Sequence, residues 1–450
     1  MRKKLLIAFL VGIFLVFAAL GTFAADVQIT VWCQAFDPHV NGFNNVIEAF
    51  NAKNPDIKVT LEPQPGQAEL VSKMRAALSA GKGAEAFNTP GTTIMEWAVP
   101  GDIQPVSPDV VTLDQVKKGF LPENYLQCHL NNQIWAIGIP DPPGDSGIIV
   151  NLDDLKEAGL PYIPKFDSID QLLTYAQKLA KKDGGKLVRG GLSFQESNDP
   201  IFFYSYIVDQ GGKFWDNDKQ KFTLQTPEAR KALQFFYDLF YKYGVDSTSL
   251  PDTLSALGQH LTSMGFMWPE FLPFAQKTYP DLNFGFIMKP PFVKGKQAVF
   301  SHTDTWDVVV PKYVLGEKKD ATFKFLKFLA SEEGQLLFLD ANPGLSPLKS
   351  LTFNNDYYKT GQGKYLAPVI AGIKAGNYRY WGPFIDSDVM LYDIAWPNLD
   401  ALFHKQQTVD ETLAKLEKAL NDQNARSQQK YPDAPKTTIF YTGMPADIRP

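Results

Sequence analysis

Two kinds of periodicity follow one another near the start of the chain, and their order restricts the fold more than any single residue does. From Asp26 to Trp32, Val27, Ile29 and Val31 alternate with Gln28 and Thr30, the pattern of a strand with one buried face. Phe43, Val46, Ile47 and Phe50 then fall at helical spacing, and Ile57, Val59 and Leu61 alternate again around Lys58 and Thr60. Strand, helix, strand is the opening of an α/β layer. A second helix is expected through Leu70, Met74, Ala77 and Leu78, stopped by Gly81 and Gly83.

The later chain keeps alternating. Trp135 to Ile139 and Gly147 to Val150 read as strands around Pro140, Pro142, Pro143 and Gly144, where proline removes backbone donors and marks a linker. Ile169 to Lys182 reads as an amphipathic helix. Thr226, Pro227 and Glu228 start another that runs to Tyr243, with a capping hydroxyl, a proline in the first turn and an acid at the positive end. Phe284 to Met288 is a strand stopped by Pro290 and Pro291, Trp306 to Val310 is another, and Ala321 to Ala330 is helical. The C-terminal part is mainly helical, with segments at Val389 to His404 and Val409 to Asn421. At 450 residues, two or three cores are expected.

Arg2, Lys3 and Lys4 precede an apolar run from Leu5 to Leu20, and Gly21 to Ala25 follow with small residues. Residues 1–25 therefore read as a signal peptide, with cleavage after Ala24 favoured over Ala25 because Phe23 is bulky for the outer small-residue position. Extended to Ala25, the run approaches the ~20 residues of a spanning helix, so an uncleaved anchor is the alternative. No cysteine follows the run to accept a lipid, and the expectation is a soluble exported protein. A formal charge of −5, without a long basic run beyond the first residues, argues against nucleic acid as a partner.

The two cysteines, Cys33 and Cys128, are compatible with a disulfide in an exported chain, but Cys33 continues the first strand's alternation, where a packed free thiol is equally at home. The five histidines are scattered. There is no phosphate loop, dinucleotide fingerprint, paired-cysteine metal site or His-Glu-x-x-His helix, although a carboxylate pair of the glycosidase kind stays open.

The order of several short motifs resembles the extracellular solute-binding proteins of bacterial ABC importers, in the sugar-binding branch that includes maltose-binding protein. They are Phe50 to Val59 (Phe-Asn-Ala-Lys-Asn-Pro-Asp-Ile-Lys-Val), Ala76 to Phe87 with Gly81 and Gly83, Gln133 to Pro140, and Val150 to Leu155 closing with Ala158-Gly159-Leu160. Gly211 to Phe214, Met264 to Trp268, Ala321 to Leu329 followed by Ser331 to Gly334, and Thr408 to Glu411 continue the series. Ala84-Glu85 stands where the family usually has Pro-Asp, and the crossing at Asp141 to Asp145 is richer in proline.

The resemblance implies an α/β, two-lobed periplasmic-binding-protein fold: a hinged clamp, each lobe a sheet flanked by helices, with a helical C-terminal part. Lobe 1 would hold residues 26–142 and 292–343, and lobe 2 residues 143–291 and 344–450. The implied cargo is a mono- or oligosaccharide or polyol, delivered to membrane-embedded permease subunits by a periplasmic monomer that needs no cofactor or metal and performs no catalysis. Sugars offer C–H faces to aromatic rings and hydroxyls to planar polar groups. On that basis Trp268, which resembles the family's cleft tryptophan, is a ligand candidate, with Glu270 two residues on. Trp306 with Thr303 and Asp304, then Tyr392 and Trp381, follow by the same resemblance, and each is alternatively a core or surface residue. Asp37, His39 and Asn88 lie at strand ends, where α/β sheets gather ligands, and Asp145 lies in the crossing. Asp199 and Tyr204 are weaker candidates, and Trp32, Trp97, Trp135, Trp215 and Trp396 read as structural. A polyamine, organic phosphate or metal chelate in the same clamp, or a secreted carbohydrate-active enzyme, are the alternative functions.

Overall fold

The computed structural model describes residues 27–141, 147–163, 165–194, 200–269, 271–302, 305–342, 344–360, 362–445 and 448. Glu270, Thr303, Asp304, Asp145, Asp199 and the 1–25 leader lie outside them.

The first lobe is the opening alternation carried through. Strand β1 (Val27–Gln34), helix α1 (Asp37–Lys53), strand β2 (Ile57–Gln64), helix α2 (Gln67–Ala80) and strand β3 (Ala86–Pro90) follow in order. β1 pairs in parallel with β2, Val27 opposite Ile57 through to Gln34 opposite Gln64, and with β3 on its other side. The Trp306–Pro311 strand runs antiparallel beside β3, placing Trp306 opposite Pro90, and also pairs with Ile103–Gln104 and Ile137–Gly138. Ile29, Val31 and Cys33 are buried by the alternation, whereas β3 is buried at all five positions because helices cover both faces. Phe43, Val46 and Phe50 turn the apolar side of α1 into this core, with Phe50 edge-on to Phe325 at 5.4 Å and Phe43 edge-on to Phe338 at 5.0 Å. Gly81, at φ 65°, ends α2 in the left-handed conformation that glycine adopts without strain. Trp135 belongs to the same core, its indole N–H donating to the Leu130 carbonyl at 3.1 Å.

The second lobe has a different plan. A small antiparallel sheet centres on β4 (Gly147–Asn151), flanked by β5 (Met264–Met267) and β6 (Phe284–Met288). Gly147 is required there, because a Cβ would meet the Phe286 ring at 2.3 Å and the Ile287 carbonyl at 2.5 Å. Around the sheet pack helices Pro200–Asp209, Pro227–Tyr241 and Val409–Lys430, the second capped by Thr226 and the third by a reciprocal Thr408–Glu411 box. Their shared core is aromatic: Phe194 stacks on Phe236 at 4.0 Å and meets Phe202, Phe266 and Phe403 within 6.1 Å.

Several local expectations change. The Ile169 helix stops at Leu179, since Gly184 and Gly185, both at positive φ, turn Lys181–Asp183 back on Lys186–Arg189 as a hairpin. The Val409 helix continues to Lys430. Pro290 and Pro291 sit inside the second lobe rather than between lobes: Ile169 N–H donates to the Pro291 carbonyl, and Phe292 and Val299 pack on the second core. Both thiols are free and buried, Cys33 pushed up to about 12 by burial and Cys128 donating to Asp307 at 3.3 Å.

The chain leaves the first core after Ile139 and regains it at Trp306. A third small cluster joins Leu121 with Leu345, Tyr358, Val369, Ile373 and Tyr378. Asp141 and Leu345 exchange both backbone hydrogen bonds, at 3.0 and 3.1 Å, so two of the segments between the cores are paired with each other.

Candidate functional site

A cleft of about 590 Å³ lies between the lobes. The first lobe lines it from the carboxyl ends of its parallel strands, the edge at which α/β sheets present loops and helix starts. Gln34 ends β1, Phe36 and His39 begin the chain into α1, and Gln67, Val71 and Arg75 come from α2 after β2. Trp306 reaches the same edge because its strand runs antiparallel, so its first residue lies beside the last residue of β3. The second lobe supplies Trp268 directly after β5, Phe271 beyond it, and Asp388, Tyr392, Asp393 and Trp396 from the C-terminal part.

This last group depends on a local departure from α-helix. Val389–Ala395 is π-helical before Trp396–Phe403 resumes as α-helix, in place of one regular helix to His404. Such widened turns shift which residues share a face, and they concentrate at functional sites. Tyr392 and Trp396 present neighbouring rings, 6.2 Å apart and inclined by 31°, along one wall. On the opposite wall His39 stands edge-on to Trp306 at 4.9 Å and to Phe36 at 5.3 Å, and Phe36 meets Phe271 of the other lobe at 6.2 Å. His39 is 2 % exposed, and burial pushes its imidazole down to about 3, so it is neutral at ordinary pH.

Four of the expected residues therefore meet: Trp268, Trp306, Tyr392 and His39 line one cleft. Three do not. Asp37 points to solvent and pairs with Lys277 at 3.4 Å. Asn88 is fully buried in the sheet, its amide reaching the Asp307 carbonyl at 3.4 Å, because β3 is covered on both faces. Trp381 is a core ring of the second lobe, 3 % exposed and edge-on to Phe214 at 5.1 Å. Tyr204 likewise stacks on Phe214, at 4.5 Å.

The cleft also holds Trp396, which the sequence reading makes structural, and residues that reading does not single out. Trp396 lies four positions after Tyr392, the spacing of a shared helical face, and that was the available signal. Arg75 and Asp388 carry none, since a lone arginine on a polar helix face resembles any other. The Arg75 guanidinium is held fork-on by Glu96, both bonds at 2.8 Å, and its Nη2 also reaches Asp388 at 3.1 Å. These carboxylates raise the arginine's pKa further, while burial raises that of Asp388 against the opposing pull of Arg75. Asp141 and Asp393 add carboxylates to the lining. Among the described residues no three His, Cys, Asp or Glu side chains gather as metal ligands. Rings on both walls, with carboxylates, amides and one neutralised guanidinium between them, suit a molecule with apolar faces and hydroxyl edges.

Comparison with known proteins agrees with this architecture. The pattern of the bacterial extracellular solute-binding protein family matches residues 37–336. A maltotriose-binding protein of Pyrococcus abyssi is 22 % identical over 362 residues, 79 % of this chain and 73 % of its own length. A maltose/maltodextrin-binding domain of Bdellovibrio bacteriovorus, solved with maltotriose, superposes with a TM-score of 0.72 at 19 % identity, covering 89 % of this chain and all of that one. The maltose-bound MalE3 of T. maritima gives 0.70 at 21 % identity, over 88 % of this chain and all of its own. The chain belongs to the bacterial extracellular solute-binding protein family and shares the two-lobed fold of these proteins.

Proposed function

We propose that this family member captures a sugar in the interlobe cleft and presents it to the membrane permease subunits of an ABC importer. The observation that carries the reading is the placement of Trp268, Tyr392 and Trp396 from one lobe opposite Trp306 and Phe36 from the other, so that closing the lobes sandwiches a ring-shaped ligand. The names of the relatives point the same way: one binds maltotriose, and solved neighbours hold maltose or maltotriose. Mono- and oligosaccharides and polyols share the required faces and hydroxyls. Organic phosphate is disfavoured because Arg75, the cationic residue lining the described cleft, is already committed to Glu96 and Asp388. In this reading the protein acts as a monomer in the periplasm, released from residues 1–25, and its cargo leaves unchanged.

A thermal-shift and calorimetry screen with maltotriose, other neutral oligosaccharides and polyols tests this. A ligand that binds only the folded chain at about a hundred times its dissociation constant stabilises it by ~2.7 kcal/mol, and the melting temperature rises accordingly. Chromatography of the cargo after prolonged incubation should return it intact. Hydrolysed product would replace the binding reading with an enzyme, and the absence of a shift with every neutral saccharide would remove sugar as the cargo.

A further inference from the structure

One contact between the lobes is built before the lobes meet. Glu96 and Arg75 both belong to the first lobe, and the carboxylate grips the guanidinium through Nε and Nη2, each at 2.8 Å. The fork is therefore oriented whether the cleft is open or shut. From the second lobe Asp388 brings Oδ2 to Nη2 at 3.1 Å, and the Thr92 hydroxyl of the first lobe donates to its other oxygen at 3.3 Å. The Asp388 side chain is 13 % exposed, so it has exchanged most of its water for these partners. Asp388 immediately precedes the π-helical segment that carries Tyr392, and Trp396 one turn later, into the cleft. Two other bridges across the rim among the described residues are weaker in kind: Lys277–Asp37 at 3.4 Å joins two strongly exposed side chains, and Phe36–Phe271 is a single ring contact.

We propose that Arg75, pre-set by Glu96, is a positioning residue that captures Asp388 as the lobes close and so fixes the Tyr392–Trp396 wall against the cargo. The closed arrangement is thereby favoured by the chain's own side chains before any ligand enters. A charge-assisted arginine–carboxylate contact that is partly buried outlasts the exposed bridge, yet two carboxylates share one guanidinium, and their mutual repulsion limits the gain. The pair biases the lobes without locking them, as release requires. Affinity then scales with the fraction of molecules that have the wall in place. Only this last step rests on the sugar-capture reading.

Small-angle scattering of the ligand-free chain tests the bias directly. Asp388→Asn and Arg75→Gln should each enlarge the radius of gyration, and the double variant should be no larger than either single, since all three lack the same contact. Maltotriose affinity should fall about tenfold in each single variant and again about tenfold, not a hundredfold, in the double. Should a variant fail to fold, Thr92→Val, which removes one bond to Asp388, supplies the same readout as a smaller expansion of the ligand-free chain. Ligand-free variants that scatter like the parent, or additive losses of affinity, would each overturn the proposal. If the parent binds no saccharide, the cargo reading falls, while the scattering arms still decide whether Asp388 is captured.

Discussion

The two lobes solve the same task with different materials. The first is organised by its sheet: β1, β2 and β3 run in parallel, and the residues it offers the cleft follow from where those strands end. The second is organised by ring packing, with Phe194, Phe202, Phe236 and Phe266 fully buried around a three-stranded sheet, and it presents Tyr392 and Trp396 from a widened helical turn. Strand ends are fixed by a long hydrogen-bonded ladder. A helical wall seated on rings is fixed by how those rings fill space. Damage to the packing of the second lobe should therefore reach the cleft more readily than comparable damage to the first.

The largest effect expected from that contrast is on folding. Phe236→Ala removes a fully buried ring stacked at 4.0 Å on Phe194 and should cost about 3–5 kcal/mol in urea unfolding. Calorimetry on the molecules that remain folded should also show weaker cargo binding, and unchanged affinity there would mean that the wall does not depend on this core.

Next comes the site itself. Trp268→Ala should lower affinity about thirtyfold, ~2 kcal/mol, with the melting temperature nearly kept, because the ring is only partly buried at the cleft edge. Trp396→Ala should be comparable if the two aromatic positions of the second lobe act together. A large fall in melting temperature with parental affinity would instead make Trp268 a core ring.

A pH effect should come from both lobes. Asp307, fully buried in the first, accepts from Thr305 Oγ at 2.5 Å and from Gln127 Nε2 at 2.6 Å, and burial pushes its carboxyl up to about 6. Because that value lies above the unfolded one of about 4, folding favours the protonated form. The stabilisation is complete below about pH 4 and is lost as the pH rises through about 6, an effect on the order of 2 kcal/mol. In the second lobe Asp209 is also pushed up to about 6 by burial, but Lys289 lies at 3.5 Å and the Phe292 and Val299 amides donate to it, all favouring its charge. Melting temperatures between pH 4 and 8 should show a decline that Asp307→Asn makes shallower, and a profile identical to the parent would contradict the assignment. The smallest change is expected from Asp37→Asn at the exposed rim pair, less than about threefold in affinity by calorimetry.

The difference between the lobes also explains what could be read in advance. Val27, Ile29 and Val31 announced the first sheet because a strand with one covered face must alternate. His39 is legible from its place after the first strand and Trp306 from the family resemblance, and both line the cleft. The second lobe hides its plan: Pro200–Asp209 is buried at every position, so no periodicity distinguishes a wall from a core. Trp381 and Trp396 illustrate the cost, two tryptophans fifteen positions apart whose roles, core and cleft, were read the other way round. The widened turn at Val389–Ala395 sets Tyr392 and Trp396 on one wall, whereas Trp381 lies before it and packs on Phe214.

The position of the Trp306–Pro311 strand has a consequence for synthesis of the chain. It sits between β3 and the short Ile103–Gln104 strand, inside the first sheet, yet it is encoded more than two hundred residues after β3. At ~5–20 residues per second the ribosome needs roughly 10–40 s to deliver it, and until then the sheet has a gap where its antiparallel member belongs. The whole second lobe up to β6 emerges during that interval. The first domain therefore cannot complete its sheet until the Trp306–Pro311 strand has left the ribosome, after most of the chain has been made.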